Sequence, residues 1–204
     1  MVAHDLGEAR VTRLPDRGSV EEAAAAIIED LRFTVTDRAR MSREDARNHL
    51  RHAFEQLGGI AVFTTMVGND NHRMLDRDEF RGFALADPFA PLIFVTAHDD
   101  SLSGQIFTFL HEYVQVARSE SGVGDEEGWD VAAQSDIECW CNAVASDALV
   151  PRADLRAQFD SSRELPEMLE QLARRYLAST LTILIHRPVA QTSSSGPSSL
   201  SAIR

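Results

Sequence analysis

The chain has 204 residues, 44% of them hydrophobic and 25% charged, which suits one globular domain whose core needs no disulfide or metal merely to fold. With 32 acidic against 20 basic residues, its net charge of −12 opposes a phosphate backbone, so direct nucleic-acid binding ranks low. Every basic residue is arginine, which excludes lysine Schiff-base chemistry, and the two cysteines, Cys139 and Cys141, are too few and too badly placed on a helix for a secreted disulfide scaffold.

Residues 1–18 are polar, lack the apolar stretch of a signal peptide, and read as a flexible leader. No apolar run approaches a membrane span, and a reducing, cytoplasmic setting is the simplest reading. Ser19-Val-Glu-Glu22 is a capping-box pattern that predicts a helix to about Leu31. Ser42-Arg-Glu-Asp45 opens a second helix whose apolar side is Ala46, Leu50, Ala53, Phe54 and Leu57, with Gly58-Gly59 as its stop. Ile60 to Thr65 reads as a strand, Gly68 to Asp78 as a polar loop, and Phe80 to Leu85 as a second strand. The prolines at 88 and 91 mark a turn before a third strand, Leu92 to Val95, so a small meander or mixed sheet is expected.

A helix then runs from about Leu102 to Arg118, with Asp99 to Ser101 offering caps. Ser119 to Gly128 is a Gly- and acid-rich loop, and Asp125 to Glu127 reads as its solvated part. Another helix spans about Ala132 to Ala148 and ends before Pro151. A helical pair follows at Pro166 to Leu177 and Ser179 to Ile185, and residues 188–204 read as a disordered Ser-rich tail. The fold class is therefore α+β: a three-stranded sheet packed on two central helices, an N-terminal helical pair, a main domain over 19–152 and a helical extension over 153–187.

The chemistry concentrates in His111-Glu112-Tyr113-Val114-Gln115. His-Glu-x-x-His on a helix puts two imidazoles on one face to hold zinc, with the glutamate as general base toward the metal-bound water. Here His111 and Glu112 are present and the second histidine position holds Gln115. Such a site needs a third ligand, and the next helix offers Glu138, with Asn142 on the same face to hold a ligand's outer hydrogen bond.

Three segments in this order resemble the ImmA/IrrE family of metallopeptidases, a gluzincin-like group of bacterial and phage regulators. They are Phe80-Arg-Gly-Phe-Ala-Leu-Ala-Asp87 with Pro91-Leu-Ile-Phe-Val95; Gln105-Ile-Phe-Thr-Phe-Leu-His-Glu112 with its exit at Ser119 to Val123; and Glu138-Cys-Trp-Cys-Asn-Ala-Val-Ala145 closing at Leu149-Val-Pro151. Together they cover about residues 55–152. The resemblance implies a zinc enzyme that cleaves a partner protein, typically a DNA-bound repressor. It makes His111 the first metal ligand, Glu112 the catalytic base and Glu138 the third ligand, with Gln115 at the second ligand position.

An amide offers zinc a neutral, hard oxygen in place of the imidazole nitrogen it prefers. Losing an outer partner of a ligand lowers metal affinity about 10–100-fold, so replacing the ligand itself costs more. A site that starts near ~10–16 kcal/mol keeps some affinity, so zinc binding is expected to be weakened and hydrolysis impaired, leaving a partner-binding regulatory role. The alternative is an active endopeptidase with an unusual His/Gln/Glu site. Cys141, Cys139, His98 and His72 are the residues chemically able to substitute, each with a blander reading as a buried hydrophobe or loop residue. Arg81 is a candidate substrate contact, equally readable as one half of a surface ion pair. Trp129 and Trp140 read as packing residues. The helical pair around Arg174 and Arg175 suggests a further alternative, a DNA-binding helix-turn-helix, against a simple cap on the core.

Overall fold

The computed structural model describes residues 7–15, 18–64, 81–97, 101–119, 131–160 and 162–186. In chain order these form α1 (Val20–Leu31), α2 (Val35–Arg38), α3 (Arg43–Gln56), β1 (Ile60–Thr64), β2 (Gly82–Leu85), β3 (Leu92–Thr96), α4 (Leu102–Arg118), α5 (Val131–Leu149), α6 (Arg152–Gln158), α7 (Leu165–Tyr176) and α8 (Thr180–His186). The expected loop at 68–78, His72, His98, Trp129, the acidic stretch 125–127 and the tail 188–204 lie outside the described residues.

The expected caps form. Ser19 accepts from Glu22 N–H at α1, and Ser42 and Asp45 make a reciprocal capping box at α3. At α4 the cap is Ser101, which accepts from Gly104 N–H at 3.1 Å. Gly58, at φ 97, turns the chain after α3 into β1. Helices α2 and α6 are absent from the sequence reading. The first is a single turn over a Thr34–Asp37 capping box, and the second follows Pro151 directly.

The sheet is mixed, not a meander. Its order is β1-β3-β2, with β1 parallel to β3 and β2 antiparallel to it. The β2–β3 turn is held by Asp87, whose carboxylate accepts from Phe89 and Ala90 N–H at 2.8 and 2.9 Å. One face of the sheet packs on α3 and α4, and α5 packs between α1 and α4. Cross-strand register places Phe63, Val95 and Gly82 in one row and Ala61, Ile93 and Ala84 in the next. Phe63 stacks on Phe109 of α4 at 5.8 Å, so both rows face the helices. Phe54 meets Phe109 and Tyr113 edge-on at 6.0 and 5.6 Å and closes the core between α3 and α4.

Residues 7–15, expected as part of a flexible leader, are tied down. Ala9 N–H donates to Pro88, Arg10 N–H to Leu57 and Leu14 N–H to Ala117. Asp30 of α1 accepts from Thr12 N–H and Thr12 Oγ1, and also from the buried Tyr113 hydroxyl at 2.8 Å. The same contact with Asp30, together with burial, pushes the Tyr113 phenol well above its ordinary range.

The C-terminal helices cap the core. Met168, Leu172, Tyr176 and Ile183 are buried, and Arg43 of α3 donates to Ser103 Oγ and to the carbonyls of Ala173 and Ala178. Arg175 and the Tyr176 hydroxyl both bond Asp154, and Arg174 lies 3.9 Å from Glu170. The local basic pair thus has carboxylate neighbours on α6 and α7.

Arg38 is fully buried beneath this cap. Its guanidinium donates to the Leu149 carbonyl at 2.6 Å and lies 4.7 Å from the Phe33 ring centroid, which anchors the end of α5. Burial lowers its pKa to about 10, still charged at neutral pH.

Asp30→Ala removes three hydrogen bonds at once and leaves the Tyr113 hydroxyl buried without an acceptor. Urea unfolding should show a loss of about 2–3 kcal/mol, with faster amide exchange at Thr12.

Candidate metal centre

Helix α4 carries the site on its polar stripe. Gln105, Thr108, Glu112 and Gln115 follow one another at spacings of three and four, and all are buried although polar. The middle of the stripe, Thr108 and Glu112, is accommodated by Gly82. In the row Phe63, Val95, Gly82 the side chains shrink toward the β2 edge, so α4 approaches the backbone of β2 closely. A Cβ built at Gly82 would lie 2.7 Å from Thr108 Cγ2, 2.8 Å from the Phe94 carbonyl and 3.0 Å from Glu112 Oε1. Glu112 therefore rests against bare backbone at the start of β2. Gly82 and Thr108 were not singled out as site residues in the sequence. The signal that exposes them is the three–four spacing of polar residues on a helix otherwise destined for the core.

The fold brings His111, Gln115 and Glu138 together. His111 Nε2 is 3.1 Å from Gln115 Nε2 and 3.3 Å from Glu138 Oε2, and Gln115 Nε2 is 3.2 Å from Glu138 Oε1. Burial lowers the His111 pKa, and the Glu138 carboxylate and the Asn142 side chain act against that lowering without reversing it. The Gln115 amide donates to Glu138 Oε1, and its nitrogen also lies within hydrogen-bond distance of His111 Nε2. Among the described residues, His111 Nδ1 and Gln115 Oε1 are buried with no hydrogen-bond partner.

Glu112 is 5% exposed, and burial with the nearby Glu138 charge raises its pKa from 4.5 to about 8. Asn142 sits one turn beyond Glu138 on α5 and interacts with the His111 ring. Arg81 is exposed just before Gly82, and its carbonyl accepts from Thr96 N–H. Cys139 is exposed and Cys141 is buried in the core, neither in a disulfide. Trp140 donates from its indole to the Gly18 carbonyl at 3.2 Å and lies under Arg118, a packing role.

Spacing and chemistry disagree about an ion. Zinc bonds of about 2.0–2.1 Å in a tetrahedron set neighbouring donor atoms about 3.3 Å apart, so the three groups stand where ligands would. The atom Gln115 presents, however, is an amide nitrogen whose lone pair is delocalised into the carbonyl, and it donates to Glu138. Among the described residues there is no cluster of three or more His, Cys, Asp or Glu able to hold a metal. The donor set present does not fit zinc.

Two outcomes follow. Gly82→Ala should cost about 1–3 kcal/mol in urea unfolding, since both the Phe94 carbonyl and Glu112 block the added methyl. For Glu112 the folded pKa lies above the ordinary value, so its contribution is full below 4.5 and is lost as pH rises through about 8. Unfolding free energy measured against pH should fall over that window in the wild type, and Glu112→Gln should flatten the fall.

The segment from β1 to α8 also has a sequence-level counterpart. The family model described as Peptidase_M78, IrrE N-terminal-like domain, matches residues 56–186, which takes in the sheet, both central helices and the C-terminal cap. A search of curated proteins found no match. With the matched region spanning well over half its length, the chain belongs to the Peptidase_M78 family of zinc metallopeptidases.

Proposed function

We propose that this chain is a regulatory member of the family that binds a protein partner, a transcriptional repressor, in the cleft beside α4, with hydrolysis impaired. One observation carries the reading: at the position where the resemblance implies a second histidine ligand, Gln115 turns an N–H donor toward His111 and Glu138. A donor group there opposes a cation and leaves Glu112 without a metal-bound water to activate. Binding asks less of the site. Glu112 lies buried against the start of β2, Arg81 offers an exposed cation there, and the N-terminal segment fixes the turn after β2 through Pro88.

No helix among the described residues is long and apolar enough to cross a membrane. We place the partner in the same aqueous compartment, the cytoplasm.

Metal analysis of the purified protein tests the reading. The wild type should hold far less than one zinc per chain, and Gln115→His should raise the content toward one. A candidate repressor should co-elute with the wild type uncut and be cleaved only by Gln115→His. One tightly held zinc in the wild type, released by Glu138→Ala, would instead establish the active endopeptidase with a His/Gln/Glu site.

A further inference from the structure

We propose that residues 7–15 act as a detachable strap: the segment opens as one unit well before the chain unfolds, and its release loosens the last turn of α4, the helix that carries His111 and Gln115. The proposal goes beyond the reading above and is independent of what the site binds.

The strap is tied to four separate parts of the fold. Ala9 N–H donates to the Pro88 carbonyl in the turn after β2 at 2.8 Å, and Arg10 N–H donates to the Leu57 carbonyl at the end of α3 at 2.7 Å. Thr12 donates to Asp30 of α1 from its N–H at 2.8 Å and from Oγ1 at 2.7 Å. Leu14 N–H donates to the Ala117 carbonyl of α4 at 2.9 Å. The seat is shaped for this segment: a Cβ at Gly58 would lie 3.3 Å from Ala9 Cα, so a glycine there admits the strap backbone.

Little holds the strap beyond these bonds. Leu14, 8% exposed, is the one buried side chain of the segment; Ala9 and Val11 are half-buried, and Glu8, Arg10, Thr12 and Arg13 are exposed. A cavity of about 200 Å3 lies between the strap, the turn after β2 and the end of α4, bounded by Glu8, Val11, Arg13, Asp87, Val116 and Ser119. The strap thus bridges a hollow instead of filling it. A segment with few buried apolar contacts and exposed hydrogen bonds lies at the low end of local stability.

Two contacts carry its release into α4. Ala117 is in the last turn of that helix, where backbone carbonyls run out of helical donors, and Leu14 supplies one. Asp30 Oδ2 accepts from both Thr12 N–H and the Tyr113 hydroxyl, each at 2.8 Å, and Tyr113 lies between His111 and Gln115 in the chain. With the strap away, the Ala117 carbonyl turns to water, and water competes with Tyr113 for Asp30. A partner that lifts the strap therefore acts on α4 without touching the site.

Native-state amide exchange on the full chain, followed through low urea, tests this. In the wild type the amides of Ala9, Arg10, Thr12 and Leu14 should share one opening with a small urea dependence, at least ~10-fold more frequent than the global unfolding read at the β3 amides. Leu14→Asp in the full chain should remove protection from Ala9 and Arg10, speed exchange at Arg118 and Ser119 about tenfold, and leave the β3 amides protected. Thr12→Val keeps the side-chain shape and removes one bond to Asp30, so it should move the strap and the end of α4 in the same direction by a smaller factor. Strap amides that exchange only through global unfolding overturn the strap. Strap opening in either variant with unchanged exchange at Arg118 and Ser119 overturns its coupling to α4. If Leu14→Asp unfolds the chain, the wild-type profile and Thr12→Val decide between these outcomes.

Discussion

The close approach of α4 to the β2 edge of the sheet is the constraint on which the rest of the structure depends. A central helix in a small α+β domain is normally apolar on every face it buries. Here the helix must be apolar enough to pack on β3, α3 and α5 and must also carry a polar stripe past β2 and α5. The row Phe63, Val95, Gly82 resolves this by tapering. Bulk at β1 and β3 supports the apolar side of α4, and the absence of bulk at β2 makes room for Thr108 and Glu112. The polar side is thereby buried against backbone, and this desolvation is the main cause of the raised Glu112 pKa.

Elements distant from the cleft hold this geometry in place. Asp30 joins α1, the N-terminal segment and Tyr113 of α4. Arg38 holds the end of α5, and Arg43 ties α3 to α4 and to the C-terminal cap. Each is a charged group meeting several partners from different elements, so each fixes relative placement more than it contributes net energy. The helices carrying His111 and Glu138 are thus held from outside, and the contact between them needs only modest strength. The scaffold supplies the alignment of the two helices, and the hydrogen bond from Gln115 to Glu138 adds the last fit.

Local chemistry made much of the fold readable in the sequence. Ser19, Ser42 and Ser101 announce three helix starts because a short side-chain oxygen satisfies an orphan N–H wherever it stands. The strands at Ile60 and Leu92 declare themselves by β-branched and aromatic runs. The signals that failed are non-local. Whether three strands form a meander or a mixed sheet depends on which edges meet, and only the packing on α4 and α3 decided for β1-β3-β2. The polar residues at 7–15 read as loose because their partners, Leu57, Asp30, Pro88 and Ala117, are remote in sequence. The short α2 and α6 are held by the cap and by Arg38 more than by their own propensity.

The site divides in the same way. The sequence by itself determined which groups are available, His111, Gln115 and Glu138 at ligand spacing with Glu112 beside them, because helical periodicity puts residues four apart on one face whatever surrounds them. It also showed a glutamine at the position where the resemblance implies a second histidine. Only the tertiary structure decided what that glutamine does. Burial lowers the His111 pKa, the return of α5 brings Glu138 within 3.2 Å of Gln115, and the amide turns its N–H toward that carboxylate. Hydrogen-bond direction depends on the protonation and placement of groups from two helices, and neither is fixed until they have packed.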